Sequence, residues 1–389
     1  MKVGFESLIN YLPKETLNVK EHFAYLQPAI EKLPKARQNQ LLETAPNEVR
    51  RLKDSSAAEI MALGAANKAL DSCKLEPKDI DCLLVTQTGG KQFMPLLGSF
   101  IHLNMGFEKD IIVRNIVDDN VSVIDASNIA WNFVRSGLCQ RILLIAVAAQ
   151  ISGQIGFGID LTDPLALNYG DGAAAAIISS QNLKFEFLSY HFETYAVRPR
   201  TGGTLIANFG PVRPLINPDL ATKAGIENKK AAYLILDDPL FDEIAGHKNF
   251  ITDSLRRALE KANLNLSDLN MVIASHIGHL ENGWKRDIEA AKLPKSSYQN
   301  LRKKYGNMAV ADVLVDLAEF LEDGKFAKNS VIALWTTCFG VQLATLVLRM
   351  CCPSQKFHPS EFEQRLKRRN ADQPVFFSNS GYKAFFRYR

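Results

Sequence analysis

The sequence lacks the features of secreted, membrane-spanning and disulfide-bonded proteins. Its six cysteines show no C-x-x-C spacing, and the adjacent pair Cys351 and Cys352 is poorly placed for a bridge. No apolar run reaches the roughly 18 to 20 residues that a membrane-spanning helix needs. The start, Met1 to Asn10, also lacks the basic and apolar regions of a signal peptide. We therefore expect reduced thiols, no membrane association, no bound metal and a cytoplasmic location.

The excess of positive over negative charge is confined to the C-terminal end. The chain carries a net charge of +4, and eight lysines and arginines lie in residues 350–389 against three acids. Such a tail can bind nucleic acid or an acidic protein. A single basic cluster without a base-stacking motif is more typical of a solvated surface, so we expect no nucleic-acid partner.

What the chain does have is length and an internal repeat. Its 389 residues are 47% hydrophobic, enough for a large core in two domains or one duplicated domain. A helical pattern that starts near Ser55 ends near Cys73, and the apolar run Ile80 to Thr86 is typical of a buried strand. Phe5 to Ile9 is a plausible first strand.

The helix, a short connection and the strand recur later in the chain. Ala69-Leu70 matches Ala258-Leu259, Leu75 matches Leu264, and Asp79-Ile80 matches Asp268-Leu269, all at one offset of 189 residues. A second pair of similar runs is Ile142 to Ala149 and Val331 to Trp335. The pattern predicts two similar α/β halves, each with a buried sheet covered by helices.

Several motifs, taken in their order, resemble one family. Beside the repeat, the chain contains Tyr169-Gly170-Asp171-Gly172, Ser275-His276, Tyr305-Gly306-Asn307 and Phe339-Gly340. This set resembles the β-ketoacyl-acyl-carrier-protein synthases III of the thiolase superfamily over most of residues 1–350. The resemblance implies a thiolase fold with duplicated βαβαβαββ halves in an αβαβα five-layer arrangement. We divide the chain into an N-terminal half (1–182), a C-terminal half (183–350) and a basic extension (351–389).

The family works with cysteine, histidine and asparagine. Its cysteine lies at the N-terminus of a buried helix, where backbone N–H groups and the helix dipole favour a thiolate and an oxyanion. The cysteine accepts an acyl group, and histidine and asparagine then assist decarboxylation of a malonyl thioester. His276 and Asn307 match the last two positions. The ordinary alternatives are a satisfied core histidine and a turn asparagine.

The cysteine does not match. The family spacing, counted back from Gly137, puts Asn120 in its place, and none of the six cysteines lies on this segment. An amide cannot form a thioester, so the acyl-enzyme step should be absent unless another group replaces it.

Four interpretations of Asn120 stay open. The protein is an enzyme that decarboxylates or transfers acyl groups without an acyl-cysteine, as related synthases with glutamine at this place suggest by analogy. Alternatively Ser122 is the nucleophile with His276 as its base, although its position on the helix points elsewhere. In a third interpretation the chain is a silent subunit or carrier-binding partner in a heterodimer with an active synthase. In the fourth, the asparagine replaces a natural cysteine.

The resemblance also implies roles for other residues. Backbone groups of Asn120, Phe339 and Gly340 would form the oxyanion hole, and Cys338 is a further alternative nucleophile. Trp284, Lys285 and Arg286 are candidate docking residues for an acidic acyl carrier protein, because they follow His276 where the family has a docking helix.

From these features we predict an acyltransferase of the ketosynthase III type that forms no cysteine acyl-enzyme. Its substrates would be acyl-CoA or acyl-carrier-protein thioesters in polyketide or specialised fatty-acid biosynthesis. Coenzyme A or phosphopantetheine would enter as substrate, with no permanently bound cofactor. We expect a homodimer, with a heterodimer as the alternative.

Overall fold

A computed structural model describes most of the chain. The described residues are 1–31, 35–52, 54, 56–89, 96–150, 168–195, 205–206, 233–234, 244–278, 280–338 and 342–352. Residues Met1–Ser354 form one compact unit. The basic extension beyond Cys352 lies outside the described residues, and the division at residue 182 stays a prediction.

The strands fall mostly into one large sheet. In chain order they are β1 (Gly4–Tyr11), β2 (Thr16–Asn18), β3 (Glu48–Arg50), β4 (Cys82–Gly89), β5 (Ile112–Ile116), β6 (Arg141–Ala149), β7 (Gly172–Ser179), β8 (Phe185–Thr194), β9 (Leu205–Ile206), β10 (Tyr233–Leu234), β11 (Leu269–Ala274), β12 (Tyr298–Gln299), β13 (Val331–Cys338) and β14 (Gln342–Met350). Ten of them are hydrogen-bonded in the order β12-β11-β13-β14-β8-β1-β7-β6-β4-β5. Each half of the chain contributes five strands to this sheet, and β1 and β8 meet at its centre. When the five strands of each half are numbered in chain order, both halves run outward as first, fifth, fourth, second and third.

The helices cover and separate the two sides of this sheet. They are α1 (Val19–Ile30), α2 (Lys35–Thr44), α3 (Ala57–Cys73), α4 (Leu97–Met105), α5 (Ser122–Arg135), α6 (Phe250–Glu260), α7 (Glu281–Ala290), α8 (Arg302–Tyr305) and α9 (Asp312–Glu322). Helices α5 and α9 share one apolar cluster with strands of both halves. Helices α3 and α4 pack on the outer face of one half, and α6 and α7 pack on the outer face of the other.

Strand residues alternate between these layers, as buried sheets require. In β4, Cys82 and Leu84 face the central helices, whereas Leu83 and Val85 face α3 and α4. The predicted α/β architecture of two like halves in five layers is confirmed.

The repeated connection has the same hydrogen bonds in both halves. After α3, the backbone N–H of Glu76 donates to Oδ2 of Asp79 at 2.8 Å, and after α6 the N–H of Asn265 donates to Oδ2 of Asp268 at 2.8 Å. Each aspartate thus closes a capping box on a short turn. The aspartates recur because each satisfies backbone donors at the entry to a buried strand.

Strand β1 contains the predicted first strand, Phe5 to Ile9. The rest of the segment before Glu48, whose structure the sequence pattern did not predict, forms β2, α1 and α2, and β3 starts at Glu48. Strand β4 begins two residues later than the predicted Ile80, because Pro77–Asp79 form a 3-10 turn.

Among the described residues, no helix has the length and apolar character needed to cross a membrane.

The two halves meet where β1 pairs with β8. Gly4 lies opposite Glu186, and Phe5 lies opposite Phe185. A Cβ atom on Gly4 would lie 1.8 Å from the carbonyl oxygen of Phe185. Only glycine therefore allows this close approach of the two backbones.

We expect Gly4→Ala to lower the free energy of unfolding by about 1–3 kcal/mol or more, since the new methyl group must push β8 away. Gly283→Ala is the matched control, because nothing lies within 4 Å of a Cβ at that helical position. It should be neutral or stabilising by up to about 1 kcal/mol. Urea unfolding of both variants measures the difference, and equal stability would show that the junction is not tightly packed.

Candidate functional site

The predicted nucleophile position lies on a turn between β5 and α5. Asn120 is the middle residue of the 3-10 turn Asp119–Val121, and α5 starts at Ser122. This turn packs against the end of β13 and against the turn Ala309–Ala311 that follows Asn307. The fold thus brings together segments that are distant in sequence.

Asn120 is buried and half satisfied. Only 5% of it is exposed, and its Nδ2 donates to the carbonyl oxygen of Thr337 at 3.3 Å. Its Oδ1 is buried and has no hydrogen-bond partner among the described residues. A buried acceptor without a donor is costly, so Oδ1 is a group that a ligand donor would satisfy.

Ser122 is not placed as a nucleophile. Its hydroxyl is buried and donates to the carbonyl oxygen of Asp119 at 2.7 Å. A serine nucleophile needs a base in hydrogen-bond contact. No such base contacts Ser122 in the described part of the chain, so the geometry speaks against this alternative.

Cys338 is placed close to the turn but is held protonated. Burial, together with the negative charges of Asp119 and Asp118, raises the pKa of its thiol far above the usual value. Since the thiolate is the reactive form, Cys338 is a poor nucleophile. The proposed oxyanion residues Phe339 and Gly340 lie outside the described residues, so their role stays a prediction.

His276 follows β11 and is enclosed by acceptors. Nδ1 lies 2.6 Å from the carbonyl oxygen of Gly306 and 3.0 Å from Oδ1 of Asp312. Nε2 lies 2.8 Å from Oδ2 of Asp316. Both ring nitrogens therefore contact protein groups, and the ring is 1% exposed.

The two aspartates come from the buried face of α9. Neither is exposed, and they lie one helical turn apart. Asp312 also accepts from the backbone N–H groups of His276 at 2.9 Å and Met308 at 2.6 Å. Asp316 accepts from the N–H of Leu301 at 3.0 Å. The two carboxylates of α9 thus connect this helix with the end of β11, with Leu301 and with Met308 around one imidazole ring.

Electrostatics follow from this arrangement. Burial alone would lower the pKa of His276, but the charges and hydrogen bonds of Asp312 and Asp316 outweigh it and hold the pKa well above its usual value. Burial raises the pKa of Asp316, and the facing His276 opposes that rise. In this geometry both ring nitrogens are engaged by protein acceptors, so neither is turned toward a substrate. His276 thus has the contacts of a satisfied core histidine.

Asn307 shapes its own turn. Its Oδ1 accepts from the N–H of Ala309 at 2.7 Å, and its backbone N–H and C=O bond to Asn168 and Gly170. Within the described residues, no hydrogen bond of its Nδ2 is found. Asn307 therefore stabilises its own turn through Oδ1, whereas its Nδ2 keeps the capacity to donate a hydrogen bond to a ligand.

Two glycines let the turns approach each other. A Cβ on Gly170 would lie 2.2 Å from the carbonyl oxygen of Tyr305, and Gly306 has a φ of +75°. A side chain at either position would displace the Asn307 turn. The glycines of the sequence motifs thus serve backbone packing at the site.

Comparisons with known proteins agree with this architecture. The sequence model of 3-oxoacyl-[acyl-carrier-protein] synthase III matches residues 121–196, and that of its C-terminal part matches residues 259–350. Beta-ketoacyl-[acyl-carrier-protein] synthase III of Fusobacterium nucleatum is 26% identical over 298 residues, covering 74% of this chain and 81% of that protein. The same enzyme of Clostridioides difficile is 26% identical over 344 residues, covering 86% and 94%.

The chain is similar to the ketosynthase III family in both of its halves.

Solved structures show that the chain has the thiolase fold. The 3-oxoacyl-(acyl carrier protein) synthase III of Pseudomonas aeruginosa superposes with a TM-score of 0.72 at 18% identity, covering 91% of this chain and 100% of that one. OleA of Xanthomonas campestris with cerulenin bound gives a TM-score of 0.72 at 15% identity, covering 90% and 97%.

The predicted carrier-docking surface of the homologue needs one correction. Trp284 is 1% exposed, donates from Nε1 to the carbonyl oxygen of Ala245 at 2.8 Å, and packs edge-on against Trp335. Its side chain is part of the core and offers no surface to a partner. Lys285 is half-buried and paired with Glu281, whereas Arg286 is exposed, so docking by these two cations stays a prediction.

Sequence reasoning missed Asp312 and Asp316. A signal was present, because two acids one turn apart interrupt the otherwise apolar face of the segment Asp312–Glu322. Buried carboxylates require a cationic or hydrogen-bonding partner, and the histidine of the Ser275-His276 motif was one candidate in the chain. The pattern alone did not name His276 as that partner.

Thiol labelling tests the state of Cys338. In the folded protein at about pH 8, we expect iodoacetamide to modify exposed Cys352 and to leave Cys338 unmodified, because burial and nearby carboxylates raise the pKa of the Cys338 thiol. Peptide mass spectrometry after short labelling measures both sites. Equal rates at the two residues would restore Cys338 as a candidate nucleophile.

Proposed function

We propose that this ketosynthase III homologue binds an acyl or malonyl thioester at the Asn120 turn and processes it without a cysteine acyl-enzyme. It would act as an acyltransferase or decarboxylase in polyketide or specialised fatty-acid biosynthesis. The observation that carries the proposal is the buried turn before α5. Asn120 lies there at the predicted nucleophile position, and its Oδ1 has no hydrogen-bond partner among the described residues.

The substrate class rests on the relatives. The curated proteins that the chain matches carry the name beta-ketoacyl-[acyl-carrier-protein] synthase III. We infer from this that the chain takes thioesters of coenzyme A or of an acyl carrier protein. Lys285 and Arg286 on α7 are the proposed contacts for the acidic carrier.

The site supplies hydrogen bonds in place of a nucleophile. The Oδ1 atom of Asn120 would accept a hydrogen bond from an N–H of a pantetheine amide or of the acceptor substrate, since none of the described residues donates to it. The Nδ2 atom of Asn307 would donate to a thioester or enolate oxygen. Such contacts orient a bound thioester for attack by a second substrate or for loss of CO2.

A second candidate function is favoured by the contacts of His276. Both of its nitrogens are engaged by carboxylates or by a backbone carbonyl, so the family's histidine donor is not available in this geometry. A silent subunit, paired with an active synthase as a heterodimer, would tolerate this loss. An active protein would form the homodimer that we expect, to which the heterodimer is the alternative.

Intact-mass spectrometry with an introduced thiol separates the two functions. Asn120→Cys places a thiol at the N-terminus of α5, where a bound thioester can acylate it. After incubation with acetyl-CoA, octanoyl-CoA or malonyl-CoA, we expect an acyl adduct on Asn120→Cys and none on the unmodified chain. Released CoA and CO2 are followed in the same samples. Ser122→Cys is the matched control, because that side chain points back to the carbonyl of Asp119 and should stay unmodified.

Each outcome has a distinct meaning. An adduct on the unmodified chain would contradict the absence of an acyl-enzyme. No adduct on either cysteine variant, with no CoA or CO2 released, would contradict thioester binding and favour the silent subunit. Equal adducts on both variants would show that the labelling does not depend on a bound substrate and would remove the support for the proposal.

A further inference from the structure

The contacts around His276 define its charge as well as its place. We propose that Asp312 and Asp316 are positioning residues that hold His276 as a permanent imidazolium, which fixes the Asn307 turn and withholds the ring from substrate. This proposal rests on the proposed function. It adds that, of the family's cysteine, histidine and asparagine, only the asparagine, Asn307, would contact the substrate.

The atoms that contact Nδ1 and Nε2 of His276 give the first reason for a cationic ring. Every polar atom that contacts the ring nitrogens is an acceptor: one backbone carbonyl at Nδ1 and one carboxylate at each nitrogen. An acceptor needs a proton from its partner. When the two carboxylates are ionised, all three groups act as acceptors, and both ring nitrogens must carry hydrogen to donate to them. The ring is then cationic.

The second argument is the state of Asp312. Its Oδ2 accepts from the backbone N–H of His276, and its Oδ1 accepts from the N–H of Met308 and from the ring. A carboxylate that accepts from several fixed N–H groups is stabilised in its ionised form. An ionised Asp312 at 3.0 Å from Nδ1 in turn favours the imidazolium.

The third argument concerns Asp316 on the other side of the ring. One oxygen, Oδ2, receives both Nε2 of His276 and the N–H of Leu301, while Oδ1 is buried without a partner among the described residues. Burial is the main cause that raises the pKa of the Tyr298 hydroxyl, and the charge of Asp316 adds a smaller contribution. Because two N–H groups converge on Oδ2, a proton is best placed on Nε2 and not on that oxygen.

The competing arrangement is specific. A proton on Asp316 would make Oδ2 the donor and leave Nε2 of a neutral ring as the acceptor, with hydrogen on Nδ1 alone. The raised pKa of Asp316 is in line with that arrangement. We favour the imidazolium because it satisfies the N–H of Leu301 and both carboxylates at once.

The positioning follows from what the cation connects. The ring holds the carbonyl of Gly306, whose neighbour Asn307 carries the amide proposed to contact substrate. The aspartates hold the N–H groups of Leu301 and Met308, on either side of the same loop. The charged group therefore fixes the loop that carries Asn307. The ring holds the Nδ2 atom of Asn307 in one place without contacting the substrate itself.

Nitrogen NMR tests the charge directly. In protein labelled with ¹⁵N-histidine, we expect both nitrogens of His276 to show the protonated signature from about pH 6 to about pH 9. His276→Gln assigns the signal by its loss, and His247→Gln removes a different, exposed histidine as a control.

Two aspartate variants give the contrast. Asp316→Asn should convert the signal near neutral pH to one protonated and one bare nitrogen, since half of the negative charge around the ring is lost. Asp323→Asn, at an exposed position just after α9, should leave the signal unchanged. If Asp316→Asn does not fold, the spectrum of the unmodified chain still decides.

A bare nitrogen in the unmodified chain near pH 7 would overturn the proposal. The measurement needs no substrate, so its failure is distinguishable from a failure of thioester binding, which the Asn120→Cys adduct reports. A cationic ring together with no adduct would support the charge assigned to His276 and would contradict thioester binding at the Asn120 turn.

Discussion

The buried ion cluster of His276, Asp312 and Asp316 is the constraint on which the site depends. Unpaired charges are not tolerated in a protein interior, and removal of one partner of a buried pair costs about 3–5 kcal/mol. The three side chains are each at most 1% exposed. Separating them would leave a buried charge without a partner and would incur that cost. The end of β11, the Asn307 turn and the central helix α9 are consequently fixed to one another. A residue that the family uses on substrate is here used to hold the site's own backbone.

Much of the fold could be predicted from the sequence, because its signals are local. The connection that follows Ala69-Leu70 and Ala258-Leu259 repeats with the same capping aspartate, and strand runs such as Ile142 to Ala149 are wholly apolar. The segment before Glu48 has no clear period, and its short helices depend on contacts with distant parts of the chain, such as the bond from Lys303 to the carbonyl of Glu43. Local patterns do not encode such contacts.

The site could be predicted in part for the same reason. Family spacing located the turn of Asn120, and the structure places that turn beside the end of β13 and the segment after Asn307. Spacing did not reveal that His276 is paired, because its partners lie 36 and 40 residues away and meet it only in the fold. Trp284 was misassigned to a surface because helical position alone does not show which face is buried. Taken together, the missing thiol and the engaged ring indicate that the fold was kept while two of the three family groups changed role.

In the proposed site, a thioester is bound at the Asn120 turn while His276 stays paired with its two carboxylates. A crystal structure with a non-hydrolysable acyl-pantetheine amide tests this arrangement most directly. We expect the pantetheine arm near Oδ1 of Asn120, no covalent bond to the chain, and ring nitrogens of His276 still within hydrogen-bond distance of Asp312 and Asp316. A ring turned away from Asp316, with Nε2 on the ligand carbonyl, would contradict it.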